Sequence, residues 1–324
     1  MSKRVLSGIR ATGRLHLGNY LGAVKGMLAL QDDPAYETLY MVADVHTITT
    51  PYDVSELRKN RREVIIDYLA AGLNPQKSII FQQSEVNQHT ELAFYFSSVT
   101  TIAKMQHLPT FKEKVKQYPH NNTMALLNYP ILMAADILVY KASMVPVGID
   151  QEPHLEVTRE IARKMNQTYG TDFPETQRFA TKGEYIPSLK GEGKMSKSVE
   201  GSYINLTDTM DMIRKKIRSI PTATTSGGSM TPGIKSLFAF AELYVPKEVT
   251  EYKKQFEDAT LQFVSLKDAV AEAVFQDLKP LQEKRKNLES NSSFVDKVIC
   301  EGAEKARAIA SQTILEVRNK MGLR

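Results

Sequence analysis

Strand-length apolar runs alternate with helix-period segments through the first two-thirds of the chain, and this alternation limits the fold more than any other feature. Val5-Leu6-Ser7-Gly8-Ile9 reads as a buried strand, followed by a glycine-containing loop and a helix over about 18–30. Further strands are expected over 38–45 and 78–81. Between them, Asp53 stands as an N-cap with Glu56 three residues on, opening a helix that carries Leu57, Val64, Tyr68 and Ala71 on one stripe. Gly72 and Pro75 close that helix. A helix near 88–104, another over about 131–140, a short strand over 144–147 and a helix over about 151–167 continue the pattern. Repeated strand–helix–strand units bury apolar strands as a parallel sheet covered by helices, so the expected class is α/β with a doubly wound sheet.

After residue 203 the strand signals fade. Helices are expected over 207–219, 235–243, 247–258, 265–290 and 302–321, interrupted by a Gly/Ser/Thr stretch at 221–229 that reads as flexible. In the last helix Glu301 precedes Lys305 by four residues, and Ala306, Ala310, Thr313, Val317 and Met321 form a stripe that Gly322 ends. The expected organisation is a sheet domain over 1–203 and a mainly helical domain over 204–324, the last helix being free to pack back on the first domain. With 42% of 324 residues hydrophobic and 24% charged, the chain has enough apolar mass for a sizeable core and is neither disordered nor a coiled coil.

The formal net charge of +5, from 42 Lys+Arg against 37 Asp+Glu, is compatible with a polyanionic partner without requiring one. A single cysteine, Cys300, forms no internal disulfide or Cys-rich zinc site and suits a reducing compartment. The N-terminal residues lack a signal-peptide pattern, and no run approaches the ~18 apolar residues of a membrane span, so a soluble cytoplasmic protein with no membrane partner is expected. Tryptophan is absent from the composition altogether.

Two short stretches carry the chemistry. In the first, a strand runs into a loop with Gly8 and Gly13, and His16-Leu17-Gly18-Asn19 opens a helix. Unpaired N–H groups and the positive dipole end at a helix start suit phosphate. Gly18 permits close approach of a flat adenine or ribose, and His16 can donate to a phosphate oxygen. No Gly-Lys-Ser/Thr follows, so this is not a Walker loop. In the second, Gly191-Glu192-Gly193-Lys194-Met195-Ser196-Lys197-Ser198 places two lysines three apart on a glycine-flanked loop. Such a loop can hold the charge that builds on departing pyrophosphate. Either stretch alone also reads as an ordinary solvated loop; the pair is harder to read that way. Elsewhere, Asp136 stands in the apolar run Met133-Ala134-Ala135-Asp136-Ile137-Leu138, where a buried carboxylate is costly without partners.

The pair HLGN and KMSKS resembles the HIGH and KMSKS signatures of class I aminoacyl-tRNA synthetases. The segments GRLHLGNYLGA (13–23), YPILMAADIL (129–138), VPVGIDQEPHLEVTREIARKMN (145–166) and EGAEKARAIA (301–310) extend the resemblance over nearly the whole chain, to the tryptophanyl-tRNA synthetase family within that class. The resemblance implies a Rossmann-like catalytic domain over 1–203 that holds both signatures, and a tRNA anticodon-binding domain over 204–324. It implies a homodimer whose partners are L-tryptophan, ATP and tRNA(Trp). ATP with Mg²⁺ is the implied cofactor, with no protein metal site and no tightly bound prosthetic group.

The implied reaction is attack of the tryptophan carboxylate on the α-phosphorus of ATP, then acyl transfer to the tRNA 3′ end. It needs positioning and charge stabilisation and no protein nucleophile. By resemblance the catalytic group is Lys194, Lys197, Ser196, His16 and Asn19. ATP would be met by these lysines and Ser196, by Met195, Arg10, Thr12, Gly18 and Asn19, by Lys112 or Lys114, and by Gly148 with Asp150 at the ribose. The tryptophan slot would be built from Gly8, His46, Met133 and Asp136, the last accepting the indole N–H. Tyr129 and Gln151 would take the α-ammonium group. His154 and Arg159 stay open between pocket and structural roles, and His107 and His120 read as loop residues. Arg10-Ala11-Thr12 departs from the Gln-Pro-Ser or Arg-Pro-Thr of many relatives, setting a fixed positive charge near the reacting groups and loosening the loop. Tyrosyl-tRNA synthetase shares fold and signatures but needs polar partners for a phenol. Pantothenate synthetase lacks so large a helical domain. A non-catalytic tRNA-binding relative would be favoured by degraded signatures, and both are intact.

Overall fold

A computed structural model describes residues 3–179, 186–197, 199–222 and 230–324. The expected flexible stretch falls largely, and Ser198 wholly, outside these residues. The chain divides into two compact units: the described residues of Met1–Arg14, Lys25–Lys182 and Leu288–Arg324, and those of Leu15–Val24 and Gly183–Asn287. These boundaries differ from a cut at 203/204. The HLGN segment and the described residues of 183–203, with the KMSKS loop, belong to the second unit. The C-terminal residues return to the first, the option left open for the last helix.

In the first unit five strands, β1 (Lys3–Arg10), β2 (Tyr36–Ala43), β3 (Ser78–Gln82), β4 (Met144–Pro146) and β5 (Gln177–Phe179), form one sheet in the order β3-β2-β1-β4-β5. Every pairing is parallel. The order reverses between β1 and β4, the switch point outside which ligands collect in open α/β sheets. Leu39, Tyr40 and Val42 on β2 are fully buried, as expected for a central parallel strand.

The helices follow in chain order. After β1 comes α1 (Leu17–Asn19), which passes through a π-helical turn (Tyr20–Val24) into α2 (Lys25–Gln31). After β2 come α3 (Asp44–Thr47) and α4 (Val54–Ala71). The second strand therefore stops two residues short of the expected end, because Asp44 begins a helical turn. Asp53 caps α4, accepting from the Glu56 backbone N–H, and Gly72 ends it as expected. The helix anticipated near 88–104 is two, α5 (Gln88–Ser97) and α6 (Ile102–His107), and Thr101 restarts the chain as the N-cap of α6. His107 thus lies on a helix rather than in a loop. Helix α7 (Pro109–Gln117) was not anticipated; Pro109 occupies its first turn, where a missing N–H costs nothing.

Helix α8 (Met124–Leu138) begins seven residues before the expected start, capped by Thr123 and with Pro130 inside it. Helix α9 (Glu152–Tyr169) agrees closely with expectation, and β5, three residues at the sheet edge, was too short to read. Among the described residues after 203, α10 (Met210–Arg218), α11 (Pro232–Tyr244), α12 (Val249–Glu257), α13 (Phe263–Ser290) and α14 (Ser292–Lys320) replace strands altogether.

Helix α14 packs on β3 within the first unit. It starts ten residues earlier than the sequence suggested, at the N-cap Asn291. Inside it, a β-carbon on Gly302 would lie 1.8 Å from the Ile80 carbonyl oxygen, so only glycine lets the helix backbone approach the strand this closely. Ala306, Ala310, Thr313 and Val317 of the expected stripe are buried.

Candidate active site

The first unit holds a cavity of about 470 Å³ at the C-terminal ends of β1, β2 and β4. Gly8 and Arg10 come from β1, His46 from the turn after β2, and Lys114 from α7. Tyr129, Met133 and Asp136 follow at helical spacing on α8, while Asp150, Gln151 and His154 follow β4. All ten residues line one space. Lys112, Thr12 and Gly148 are not among the lining residues, so of the two candidate lysines it is Lys114 that reaches the cavity.

Asp136 is 1% exposed yet densely partnered. Its Oδ1 accepts from Gln83 Nε2 at 2.7 Å and His89 Nδ1 at 2.6 Å, and its Oδ2 accepts from His46 Nε2 at 2.8 Å. Burial alone would raise its pKa, but the two imidazoles outweigh that and hold the carboxyl below its ordinary value. A carboxylate offers about four acceptor positions. Two are taken on Oδ1 and one on Oδ2, so Oδ2 keeps one for a donor in the cavity.

Across the cavity His154 donates from Nδ1 to Gln151 Oε1 at 2.9 Å, and its Nε2 lies 2.9 Å from each of the Tyr129 and Thr110 hydroxyls, one of which can donate to it. Burial, then the neighbouring His46, pushes the His154 pKa down to about 4, so the ring is neutral near pH 7. Gln151 Nε2 donates to Asp150 Oδ2 at 2.7 Å. Arg159, the companion left open with His154, lies outside this lining. It bonds Glu152 at 2.5 Å, Glu156 at 2.6 Å and the Thr176 carbonyl at 2.9 Å, a structural ion cluster.

Two cations share the cavity wall. Arg10 donates from Nη2 to Thr50 Oγ1 at 2.8 Å, while its Nε is buried with no hydrogen-bond partner. Burial lowers the pKa of Arg10, and burial followed by the charge of Arg10 lowers that of Lys114. Both groups would gain from an anion bound beside them.

In the second unit the two signature stretches meet. His16 caps α1: its Nδ1 accepts the Asn19 backbone N–H at 3.3 Å, while Asn19 Oδ1 accepts the His16 backbone N–H at 3.2 Å. The backbone on either side pairs with the chain after KMSKS, Leu17 donating to Ile204 at 2.8 Å and Leu206 to Leu15 at 3.1 Å. Gly18 donates its N–H to Met195 Sδ at 3.2 Å. A β-carbon on Gly18 would lie 2.9 Å from His16 Cε1 and 3.2 Å from Met195 Cβ, so the glycine is what lets the two stretches touch. Met195 is 3% exposed, whereas Lys194 is exposed. Burial, then the charges of Lys197 and Lys194, lowers the His16 pKa to about 4. With Nδ1 accepting, the neutral ring carries its proton on Nε2, a donor suited to phosphate.

Residues 2–279 match the family of tRNA synthetases class I (W and Y). The tryptophan–tRNA ligase of Rickettsia conorii is 40% identical over 99% of each chain, and that of Porphyromonas gingivalis is 36% identical with the same coverage. The chain belongs to the tryptophanyl-tRNA synthetase family. The tryptophanyl-tRNA synthetase of Campylobacter jejuni, solved with ADP and tryptophan, superimposes with a TM-score of 0.86 at 30% identity, covering 98% of this chain and 99% of that one. The tyrosyl-tRNA synthetase of Archaeoglobus fulgidus, at 20% identity and a TM-score of 0.67 over 88% and 90% of the two chains, shares the fold alone. Fold therefore does not choose the amino acid within this class of synthetases; the side chains around the cavity must.

Gln83, His89, Thr50, Thr110 and Tyr140 escaped the sequence reading. One signal pointed toward the first two: a carboxylate in an apolar run demands donors, and Gln83 and His89 follow the end of β3, within reach of a ligand edge.

Proposed function

We propose that the two units divide the reaction of this family by chemistry, the first selecting the amino acid and the second handling the triphosphate. The chain activates L-tryptophan with ATP and transfers the tryptophanyl group to tRNA. In the first step a carboxylate oxygen of tryptophan bonds to the α-phosphorus as the bond to the bridging oxygen breaks, giving tryptophanyl-adenylate and pyrophosphate. In the second, a hydroxyl of the terminal tRNA ribose attacks the acyl carbon and AMP leaves.

Within the cavity, Asp136 Oδ2 accepts the indole N–H, Met133 and Gly8 bound the ring, and His46 orients Asp136. Tyr129 and Gln151, fixed through His154, take the α-ammonium. Arg10 and Lys114 face the carboxylate and α-phosphate, Asp150 and Gly148 the ribose, with Thr12 and Lys112 at the outer edge of the nucleotide. The unpartnered Arg10 Nε is the observation that most favours an anion there. In the second unit, His16 Nε2–H, Asn19 and the α1 N-terminus meet phosphate, with Gly18 admitting the nucleotide. Lys194, Lys197 and Ser196 hold the charge that develops on pyrophosphate, with Met195 as anchor. Among the described residues no three His, Cys, Asp or Glu side chains converge as a metal site. Mg²⁺ is proposed to enter with ATP as part of the substrate.

The helices after residue 203 are proposed to bind tRNA(Trp), with the exposed Lys215 at the basic end of α10 facing phosphate; Lys216 and Arg218 are paired with Asp208 and Asp268. A homodimer is proposed, supported by Phe94 at 77% and Ile102 at 64% exposure on the consecutive helices α5 and α6. Among the described residues no helix is long and apolar enough to cross a membrane; with the free Cys300, this supports a cytoplasmic setting.

The observation that carries the selectivity reading is the single open acceptor position on Asp136. ATP–pyrophosphate exchange with each amino acid tests it: tryptophan should drive exchange, and exchange driven equally by tyrosine or phenylalanine would overturn it.

A further inference from the structure

Asp136 is held by three side chains, and only His46 among them also lines the cavity. His89 and Gln83 stand behind it, each fully buried, and neither has a part in the chemistry above. Gln83 joins the carboxylate to the main chain: its Oε1 accepts the backbone N–H groups of Val45 at 3.1 Å and His46 at 3.3 Å, while its Nε2 donates to Asp136 Oδ1. Those two acceptances fix which end of the amide faces Asp136. His89 is fixed in the same manner. Tyr140, also fully buried, places its hydroxyl 2.7 Å from His89 Nε2. An ionised Asp136 can only accept, so Nδ1 of His89 carries a proton and donates to it, while Nε2 is hydrogen-bonded to the Tyr140 hydroxyl.

We propose that His89 is a positioning residue for tryptophan selection, acting with Tyr140 and Gln83 to saturate Asp136 Oδ1 so that Oδ2 alone is presented to the cavity. The proposal rests on Asp136 being the group that reads the indole N–H. The logic is one of acceptor capacity. With His89 removed, Oδ1 has an open position in a dry setting, and the carboxyl can rotate or take up a proton. A protonated carboxyl turned toward the cavity donates, and it meets an indole N–H as donor against donor. Tyr140 acts one bond further out. Its hydroxyl lies 2.7 Å from Nε2 and holds the ring in place, so Nδ1 stays directed at Asp136 Oδ1.

The test uses the full-length enzyme in ATP–pyrophosphate exchange with tryptophan and with β-(3-benzothienyl)alanine, which keeps the ring shape but has sulfur where tryptophan has N–H. The measured quantity is the ratio of the two kcat/KM values. In the wild type the ratio should be about 5- to 100-fold, the range for leaving a buried charged acceptor unpaired. His89→Leu should shrink it at least about fivefold through the KM for tryptophan, with the KM for ATP unchanged. His89→Asn, whose amide N–H can stand near Nδ1, should restore most of it. Asp136→Ala separates the two layers of the argument. If it leaves the ratio unchanged, Asp136 does not read the N–H, and the role of His89 falls with it. If it collapses the ratio while a folded His89→Leu preserves it, the reading of Asp136 stands and the positioning role is wrong. Should His89→Leu fail to fold, Tyr140→Phe and the ¹⁵N spectrum of labelled histidine decide. The wild-type His89 should carry a proton on Nδ1, and Tyr140→Phe should shift that signal and lower the ratio. A wild-type His89 protonated on Nε2 alone overturns the proposal.

Discussion

In the first unit, Asp136, His89, Gln83 and His154 are buried, and each uses its polar atoms on named neighbours. In the second unit, the lysine-bearing loop holds only Met195 in a packed position, and Lys194 is exposed. The contrast matches what each region must do. Selecting an indole needs an acceptor that is already oriented, because a mobile carboxylate would pair with water or with a competing ring. Stabilising departing pyrophosphate needs charge that strengthens as the bond breaks, and an exposed lysine head on a loop whose backbone is tied to Ile186 and Ser202 suits that task. One region buries its polar groups before substrate arrives; the other carries an exposed lysine on a pinned loop.

The hardest way to break the comparison is to remove the lysines. Lys194→Ala and Lys197→Ala should each lower the rate of adenylate formation by about 10²–10³-fold, the usual cost of losing one transition-state donor. Tryptophan affinity, measured by equilibrium binding, should stay within about twofold. In the first unit the same logic runs in reverse. Asp136→Ala should cost about 1–3 kcal/mol in kcat/KM for tryptophan and narrow its advantage over phenylalanine, while the KM for ATP holds steady. Asp136→Asn keeps shape and an acceptor oxygen, so its loss should be smaller.

Packing supplies a sharper contrast. Gly302→Ala pushes a β-carbon onto the Ile80 carbonyl and should lower unfolding free energy by about 1–3 kcal/mol in urea titration, with kcat at low temperature unchanged. Met195→Ala should instead lower kcat about tenfold, because the loop loses its anchor to Gly18 while both lysines remain. Unchanged kcat in that variant would mean the anchor is dispensable.

A further effect is in pH. Burial pushes the His16 and His154 pKa values down to about 4, against 6.5 as the ordinary value. Between these values the unfolded chain binds more protons, so stability should rise as pH increases from 4 to 6.5 and then level off. A rise of up to about 3 kcal/mol per histidine is expected. His154→Gln should flatten part of that rise, and an unaltered slope would assign it to other groups.

The sequence made some of this legible and hid the rest for physical reasons. His16-Leu17-Gly18-Asn19 and the lysine loop stand out because each is contiguous and its glycines have one use. Asp136 stands out because a carboxylate in an apolar run is anomalous by itself. His89 does not, because its meaning depends on a partner 47 residues away that only the fold brings near. The parallel sheet was readable from its buried runs, whereas β5 is three residues long and α7 begins at a proline. Gly302 carries no signal of its own, because its use is a close approach to Ile80 that only the fold creates. The return of residues 288–324 to the first unit left no mark in composition.

The central claim is that tryptophan selection and stabilisation of departing pyrophosphate are housed separately, and one single-turnover experiment addresses it. Adenylate formation is followed in wild type, Asp136→Ala and Lys197→Ala across tryptophan concentrations, giving an apparent tryptophan Kd and a maximal rate for each. The account predicts that Asp136→Ala raises mainly the Kd, while Lys197→Ala lowers mainly the maximal rate. Equal shifts of both parameters in both variants would contradict it.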